Sequence, residues 1–104
     1  MDVLKNYING QWVQSVSKET SDVLNPASGE RLAKVPFGAA TATDLAAAVS
    51  AANIAYHQWK DMPVLKRIQP LFKLKQLFED NADEIARIIT LECGKTLAES
   101  IGEV

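Results

Sequence analysis

With 104 residues the chain fits one small domain with a thin core, since folding at this size shields only about two-thirds of the unfolded surface. Apolar residues make up 47% and charged ones 23%, a globular balance that excludes a disordered tail. Eleven basic against thirteen acidic residues leave a net charge of −2, which excludes a strong field for nucleic acid or acidic lipid.

Met1 to Tyr7 carries one lysine, Lys5, and one acid, Asp2, but no long apolar run, and no stretch reaches the roughly 18 apolar residues of a membrane span. A cytoplasmic location is expected. Cys93, the single cysteine, excludes an internal disulfide and any Cys-rich metal motif.

Asn9-Gly10 lies between the extended runs Lys5 to Ile8 and Gln11 to Val13, the local signature of a two-residue hairpin. A second extended pair, Thr20 to Leu24 and Arg31 to Val35, is joined by Asn25-Pro26-Ala27-Ser28-Gly29, where Pro fixes one turn angle and Gly permits a positive φ. Pro36, lacking an N–H, is expected to end that ladder.

From residue 41 the apolar period lengthens from two to nearly four. Thr41 with Asp44 reads as a capping start, and Leu45, Ala48, Val49, Ala52, Tyr56 and Trp59 share one face of a helix reaching about Trp59. A second helix opens near Pro63 and places Leu71, Leu74, Leu77 and Phe78 on one face until Asp80. Pro70 falls inside it, which predicts a bend or a late start at a cost of about 3 kcal/mol. Asn81 followed by Glu84 predicts the cap of a third helix, with Ile85, Ile88 and Ile89 inward and Gly94 as its left-handed stop. Thr96 with Glu99 begins a fourth helix, whose apolar edge is Leu97 and Ile101. The expected class is α/β, N-terminal β-hairpins followed by α-helices. No repeat, linker or low-complexity stretch interrupts residues 1–104, so no internal domain boundary is expected.

Four groups invite a chemical reading. Gly94-Lys95-Thr96 resembles the tail of a phosphate loop, but that loop needs a glycine where Ile89 stands, so a helix stop followed by a helix cap is expected instead. Cys93 could be a nucleophile, yet it falls near a helix C-terminus and directly after Glu92, both unfavourable to a thiolate. The lone His57, on another helix, is expected at the surface and cannot build a metal site alone. Lys66, Arg67, Lys73 and Lys75 with Phe72 alternate with apolar positions and precede Glu79, Asp80, Asp83 and Glu84, which marks a solvated helix face rather than a nucleic-acid patch. The expected catalytic, cofactor-binding and metal-ligating residues within the chain are therefore none.

The succession Tyr7-Ile8-Asn9-Gly10-Gln11-Trp12-Val13, then Asn25 to Glu30, Val35-Pro36 and the alanine-rich helix ending in Trp59 resembles the opening of aldehyde dehydrogenases. Ile89 to Ala98, with Gly102-Glu103-Val104, is most similar to the methylmalonate-semialdehyde branch. The resemblance runs from about Lys5 to Val104 and implies a segment of a Rossmann-type fold that belongs to a larger oxidoreductase. It implies that NAD takes the hydride and, in this branch, coenzyme A takes the acyl group. The nucleophilic cysteine, glutamate base, oxyanion-hole asparagine and cofactor loop would lie downstream, and the arginine for a substrate carboxylate just past Val104. Cys93 does not match the nucleophile. Pro70 departs from the family's usual apolar or small residue. The implied partners are the remainder of the dehydrogenase chain and further copies in a homo-oligomer. Two other readings stay open: another aldehyde dehydrogenase branch, and a non-catalytic interaction module.

Overall fold

The computed structural model describes residues 3–37 and 42–104, which divide into two compact units. One comprises Met1–Val23 with Arg31–Asp61, the other Leu24–Glu30 with Met62–Val104.

In the first unit, β1 (Asn6–Ile8) and β2 (Gln11–Val13) pair antiparallel in the register Asn6↔Val13, Tyr7↔Trp12, Ile8↔Gln11. Asn9 and Gly10 take φ of 51° and 77°, the two positive angles that a tight hairpin turn matching strand twist demands. The Tyr7 and Trp12 rings sit 5.0 Å apart across this pair, the cross-strand contact that holds its register. Strands β3 (Thr20–Leu24) and β4 (Arg31–Pro36) form a second two-stranded sheet, braced by an ion pair between Arg31 and Asp22 at 2.9 Å. Leu4 adds to it by donating its N–H to the Lys34 carbonyl at 2.8 Å. Pro36 does not end the hydrogen bonding as expected. The strand includes it, and the Phe37 N–H still reaches the Glu19 carbonyl at 3.0 Å, because proline removes only its own donor.

Helix α1 (Ala42–Lys60) completes this unit. Its expected cap residue Thr41 lies outside the described residues. Asp44, in the first turn, accepts from the Ser15 hydroxyl and from the Val16 N–H at 3.4 Å, tying the helix start to the segment after β2. The inward face also differs from expectation. Asp44, Ala48 and Ala51 are the half-buried positions, whereas Leu45, Val49, Tyr56 and Trp59 are exposed. Alanine methyls allow the close approach to the hairpin that a larger side chain would block.

In the second unit the segment Leu24–Glu30 closes on itself. Asn25 donates its N–H to the Glu30 carbonyl at 2.8 Å and accepts at its own carbonyl from Gly29 at 2.8 Å, while its Oδ1 receives the Ala27 N–H at 2.9 Å. Helix α2 (Val64–Asp80) begins on the Pro63 carbonyl, which accepts from Lys66 and Arg67 at 2.9 and 3.1 Å. It runs through Pro70 without the late start that the proline suggested. Helix α3 (Ala82–Cys93) follows after the single residue Asn81, which makes no side-chain cap. With ψ at 16° rather than in the extended region a cap needs, Asn81 turns its side-chain amide back to the Leu77 carbonyl at 2.8 Å and closes α2 instead. Gly94 stops α3 at φ 74°, ψ 12°, the left-handed cap that the sequence predicted. Helix α4 (Leu97–Glu103) starts on a full capping box of Thr96 and Glu99, again as predicted.

Packing in this unit centres on α3 against α4. Ala86 and Ser100 are fully buried, and Ile85 and Ile89 are half-buried beside them. Ile88, expected inward, is 47% exposed on the far side of α3. No helix among the described residues is long and apolar enough to cross a membrane.

Candidate functional site

The turn between α3 and α4 holds the densest polar geometry among the described residues. The Gly94 N–H donates to the Thr90 carbonyl at 3.0 Å. The Thr96 N–H donates to Glu99 Oε2 at 3.1 Å, and the Glu99 N–H returns to Thr96 Oγ1 at 3.3 Å. Ser100 donates both its N–H and its hydroxyl to the Thr96 carbonyl, each at 3.1 Å, and its Oγ lies 2.9 Å from the Thr90 hydroxyl. Lys95 pairs with the Glu103 carboxylate.

These bonds decide the chemistry of Gly94-Lys95-Thr96. A phosphate loop must keep its backbone N–H groups and its lysine free for the anion. Here Gly94, Thr96 and Glu99 spend their N–H groups on internal acceptors, the lysine holds Glu103, and a carboxylate already occupies the start of α4. The turn is a helix stop joined to a helix start. Its hydrogen bonds from Thr96, first the hydroxyl and then the N–H, hold the Glu99 carboxyl below its ordinary value, with the Lys95 charge adding to them. The hydrogen bond to Glu103 raises the Lys95 ammonium above its ordinary value.

Cys93 is the last residue of α3 and is exposed. His57 lies exposed on α1 with its ring edge-on to Tyr56 at 5.8 Å. The two belong to different units. Of the basic group on α2, Lys66, Lys73 and Lys75 are exposed as expected, and Lys75 pairs with Glu79 one turn on. Arg67 departs from the solvated face: it is half-buried, and its buried Nε has no acceptor among the described residues. The acids Glu79, Asp80, Asp83 and Glu84 line a shallow cleft with Asn81 and Arg87. No group of three metal-binding side chains occurs among the described residues.

A cleft of about 340 Å³ opens in the first unit between the hairpin turn, Tyr7 to Gly10, and Ala48, Ala51, Ala52 and Ala55 of α1. Its walls are four alanine methyls and the turn residues, with Tyr7 as the one titratable side chain, so the cleft can pack against a surface but holds no acid–base pair. Sequence reasoning passed over Asp44 as the acceptor for Ser15 and over Ser100 as a buried hydroxyl. The first partnership spans 29 residues and has no local signal. The second was readable only as a small residue one turn after Thr96.

Among the described residues, two strand pairs and four helices are joined by turns, and the polar groups of the α3–α4 turn bond to one another. The chain belongs to the aldehyde dehydrogenase family, whose family model matches residues 12–104. Among curated relatives it is 48% identical over 101 residues to malonate-semialdehyde dehydrogenase 2 of Oceanobacillus iheyensis, covering 97% of this chain and 20% of that protein. The chain thus spans about a fifth of the length of the curated relatives it matches. Among solved structures it is similar to methylmalonate-semialdehyde dehydrogenase from Oceanimonas doudoroffii, with a TM-score of 0.90 and 37% identity, covering 99% of this chain and 20% of that one. It is also similar to betaine aldehyde dehydrogenase from Staphylococcus aureus, solved with NAD⁺, with a TM-score of 0.86 and 32% identity over 95% of this chain and 20% of that one.

Proposed function

We propose that this chain is the structural opening of an NAD-dependent aldehyde dehydrogenase that oxidises malonate or methylmalonate semialdehyde and passes the acyl group to coenzyme A. The observation that carries the reading is the 48% identity to a curated malonate-semialdehyde dehydrogenase over nearly the whole chain. In this reading residues 1–104 form part of one larger cytoplasmic domain. They supply no catalytic or cofactor-contacting side chain, and the remaining four-fifths of the fold supplies the reacting groups and the contacts between copies.

The role of the segment is then to hold, not to react. The Asp44 lock fixes α1 to the hairpin, and the Gly94–Thr96 turn fixes α4 against α3, so that each unit presents a set surface to the rest of the enzyme. The test is a chimera in which Met1–Val104 replaces the matching first fifth of the Oceanimonas doudoroffii enzyme. The expected outcome is NAD reduction with methylmalonate semialdehyde, dependent on coenzyme A, and little turnover of propanal. A folded chimera that oxidised neither semialdehyde would refute the reading. Met1–Val104 by itself should give no saturable NAD binding by calorimetry, since it has no glycine-rich strand-to-helix turn to hold a pyrophosphate.

A further inference from the structure

The β1–β2 turn leaves a reactive pair of groups in the open. Asn9 and Gly10 are both exposed, and neither the Asn9 side-chain amide nor the Gly10 N–H has a hydrogen-bond partner among the described residues. The backbone nitrogen after an asparagine can attack the side-chain amide carbon and close a five-membered ring, and the side chain of the attacking residue is what hinders it. Gly10 has no side chain, and even an added Cβ would meet nothing within 4 Å. The other four asparagines are each held back. Asn25 precedes Pro26, whose nitrogen has no proton to lose. Asn6 and Asn53 precede the bulky Tyr7 and Ile54. Asn81 donates its side-chain amide to the Leu77 carbonyl at 2.8 Å.

We propose that Asn9 is a site of spontaneous covalent modification, converted through a cyclic imide with the Gly10 nitrogen to aspartate or isoaspartate, at a rate set by opening of the β1–β2 turn. The Gly10 nitrogen loses its proton to solvent base and bonds to Cγ of Asn9, while the bond from Cγ to the side-chain nitrogen breaks and that nitrogen leaves as ammonia. Water then opens the ring at either carbonyl. The sum is one amide and one water giving one carboxylate and one ammonium, so the step needs only this chain and water. Ring closure swings the Gly10 nitrogen beside Cβ of Asn9, which rotates ψ of Asn9 out of the hairpin turn. Asn9 holds φ 51° and the hairpin rests on three residue pairs, a small unit that can open locally. Aspartate keeps the turn and adds a charge. Isoaspartate runs the chain through its side-chain carbon and lengthens the turn by one backbone atom, which breaks the fit of a two-residue turn to the Ile8↔Gln11 pair.

The test incubates Met1–Val104 at mildly alkaline pH and follows each asparagine by peptide mapping with fragment-ion mass spectrometry, which reads the mass difference between an amide and an acid. Asn9 should change first, giving two chromatographic products of which isoaspartate is one. Gly10→Ala, compared with the natural chain in urea so that turn stability does not enter, should slow the loss at least about tenfold. Reaction at Asn6, Asn53 or Asn81 ahead of Asn9, aspartate without isoaspartate, or an unslowed Gly10→Ala would overturn the proposal.

Control by the turn has its own readout. In buffer Asn9 should react at least about threefold more slowly than in urea, as a site that reacts only when its turn opens does. Tyr7→Ala removes the ring contact with Trp12 while leaving both reacting residues in place. It should speed the loss about two- to fivefold in buffer, the scale of one cross-strand pair, and leave the rate in urea unchanged. Equal rates in buffer and urea, or no effect of Tyr7→Ala in buffer, would overturn the part that the turn plays.

Discussion

Replacing Gly94 by alanine tests whether the turn after α3 is as constrained as its geometry implies. Gly94 takes φ 74°, ψ 12°, and a Cβ built on it would lie 3.1 Å from Cγ of Pro26 and 3.9 Å from its Cβ. The left-handed backbone costs an L residue about 1 to 2 kcal/mol, of which a stiffer unfolded chain returns up to about 1 kcal/mol. The Pro26 contact must relax by a few tenths of an ångström and adds about 1 kcal/mol, the lower end for an overpacked site. Gly94→Ala should therefore destabilise by about 1.5 to 2 kcal/mol, which is about a 1 M fall in urea midpoint by far-ultraviolet circular dichroism for a small protein. Gly10 supplies the control. Its φ is 77° but nothing lies within 4 Å of its added Cβ, so Gly10→Ala should cost only the backbone part, about 1 kcal/mol. Pro26→Ala removes the ring atom that Gly94→Ala would meet, so the double variant should recover about 0.5 to 1 kcal/mol relative to the sum of the two. A Gly94→Ala cost no larger than that of Gly10→Ala, with no coupling to Pro26, would refute the argument.

The remaining predictions concern the helices. Glu99 is held below its ordinary value of 4.5 chiefly by the Thr96 hydroxyl, so the capping box is complete above that pH and is lost as pH falls through the lowered value. A carbon-13 titration should place the Glu99 midpoint below 4.5, and Thr96→Val should move it back up; an unmoved midpoint would exclude the hydroxyl as the cause. Pro70→Ala restores a donor for the Lys66 carbonyl and should raise helix signal at 222 nm and stability by up to about 3 kcal/mol, with no gain counting against an interior defect there. Ser100→Val adds bulk at a fully buried position and strands the Thr90 hydroxyl, for a loss of about 2 kcal/mol in the same urea assay.

Local signals were legible and distant ones were not. The Asn9-Gly10 hairpin, the Gly94 stop and the Thr96/Glu99 box each depend on residues within four positions of one another, and each formed as the residue types require. Asn81 misled because one residue joins two helices and cannot serve both ends; its amide bonded backward to Leu77. The face of α1 misled for a different reason. Periodicity weights the largest apolar side chains, but contact with the hairpin selected Ala48 and Ala51 and left Leu45 and Val49 outside. Asp44 could be read as a first-turn acid, but not as the acceptor for Ser15, because nothing in either neighbourhood encodes a contact 29 residues away. For the candidate site, the decisive sign in the phosphate-like motif was the missing glycine at Ile89. The hydrogen bonds of Gly94, Thr96 and Lys95 supply the physical reason why the motif is structural.

Local completeness without apolar completeness has a measurable consequence. Ala86 is the buried hydrophobic residue among those described, while Leu71, Leu74, Phe78, Ile88 and Leu91 stay about half exposed. Full burial of such a side chain is worth about 1.5 to 3 kcal/mol, so covering the exposed half of five gives about 4 to 7 kcal/mol, comparable with the whole stability of a small domain. On the proposed function, that gain is absent for Met1–Val104 alone and is supplied where the remaining fold covers the second unit. Backbone amides inside α3, such as that of Ile89, exchange through opening of the unit, and their protection reports the difference directly. At about 1.4 kcal/mol per factor of ten, the lower figure predicts that exchange at Ile89 slows roughly a thousandfold from the chain alone to the chimera with the Oceanimonas enzyme. Measured under identical dilute conditions, equal protection in the two would mean that α3 is already held by contacts within its own unit, and the expected gain from covering its exposed side chains would fail.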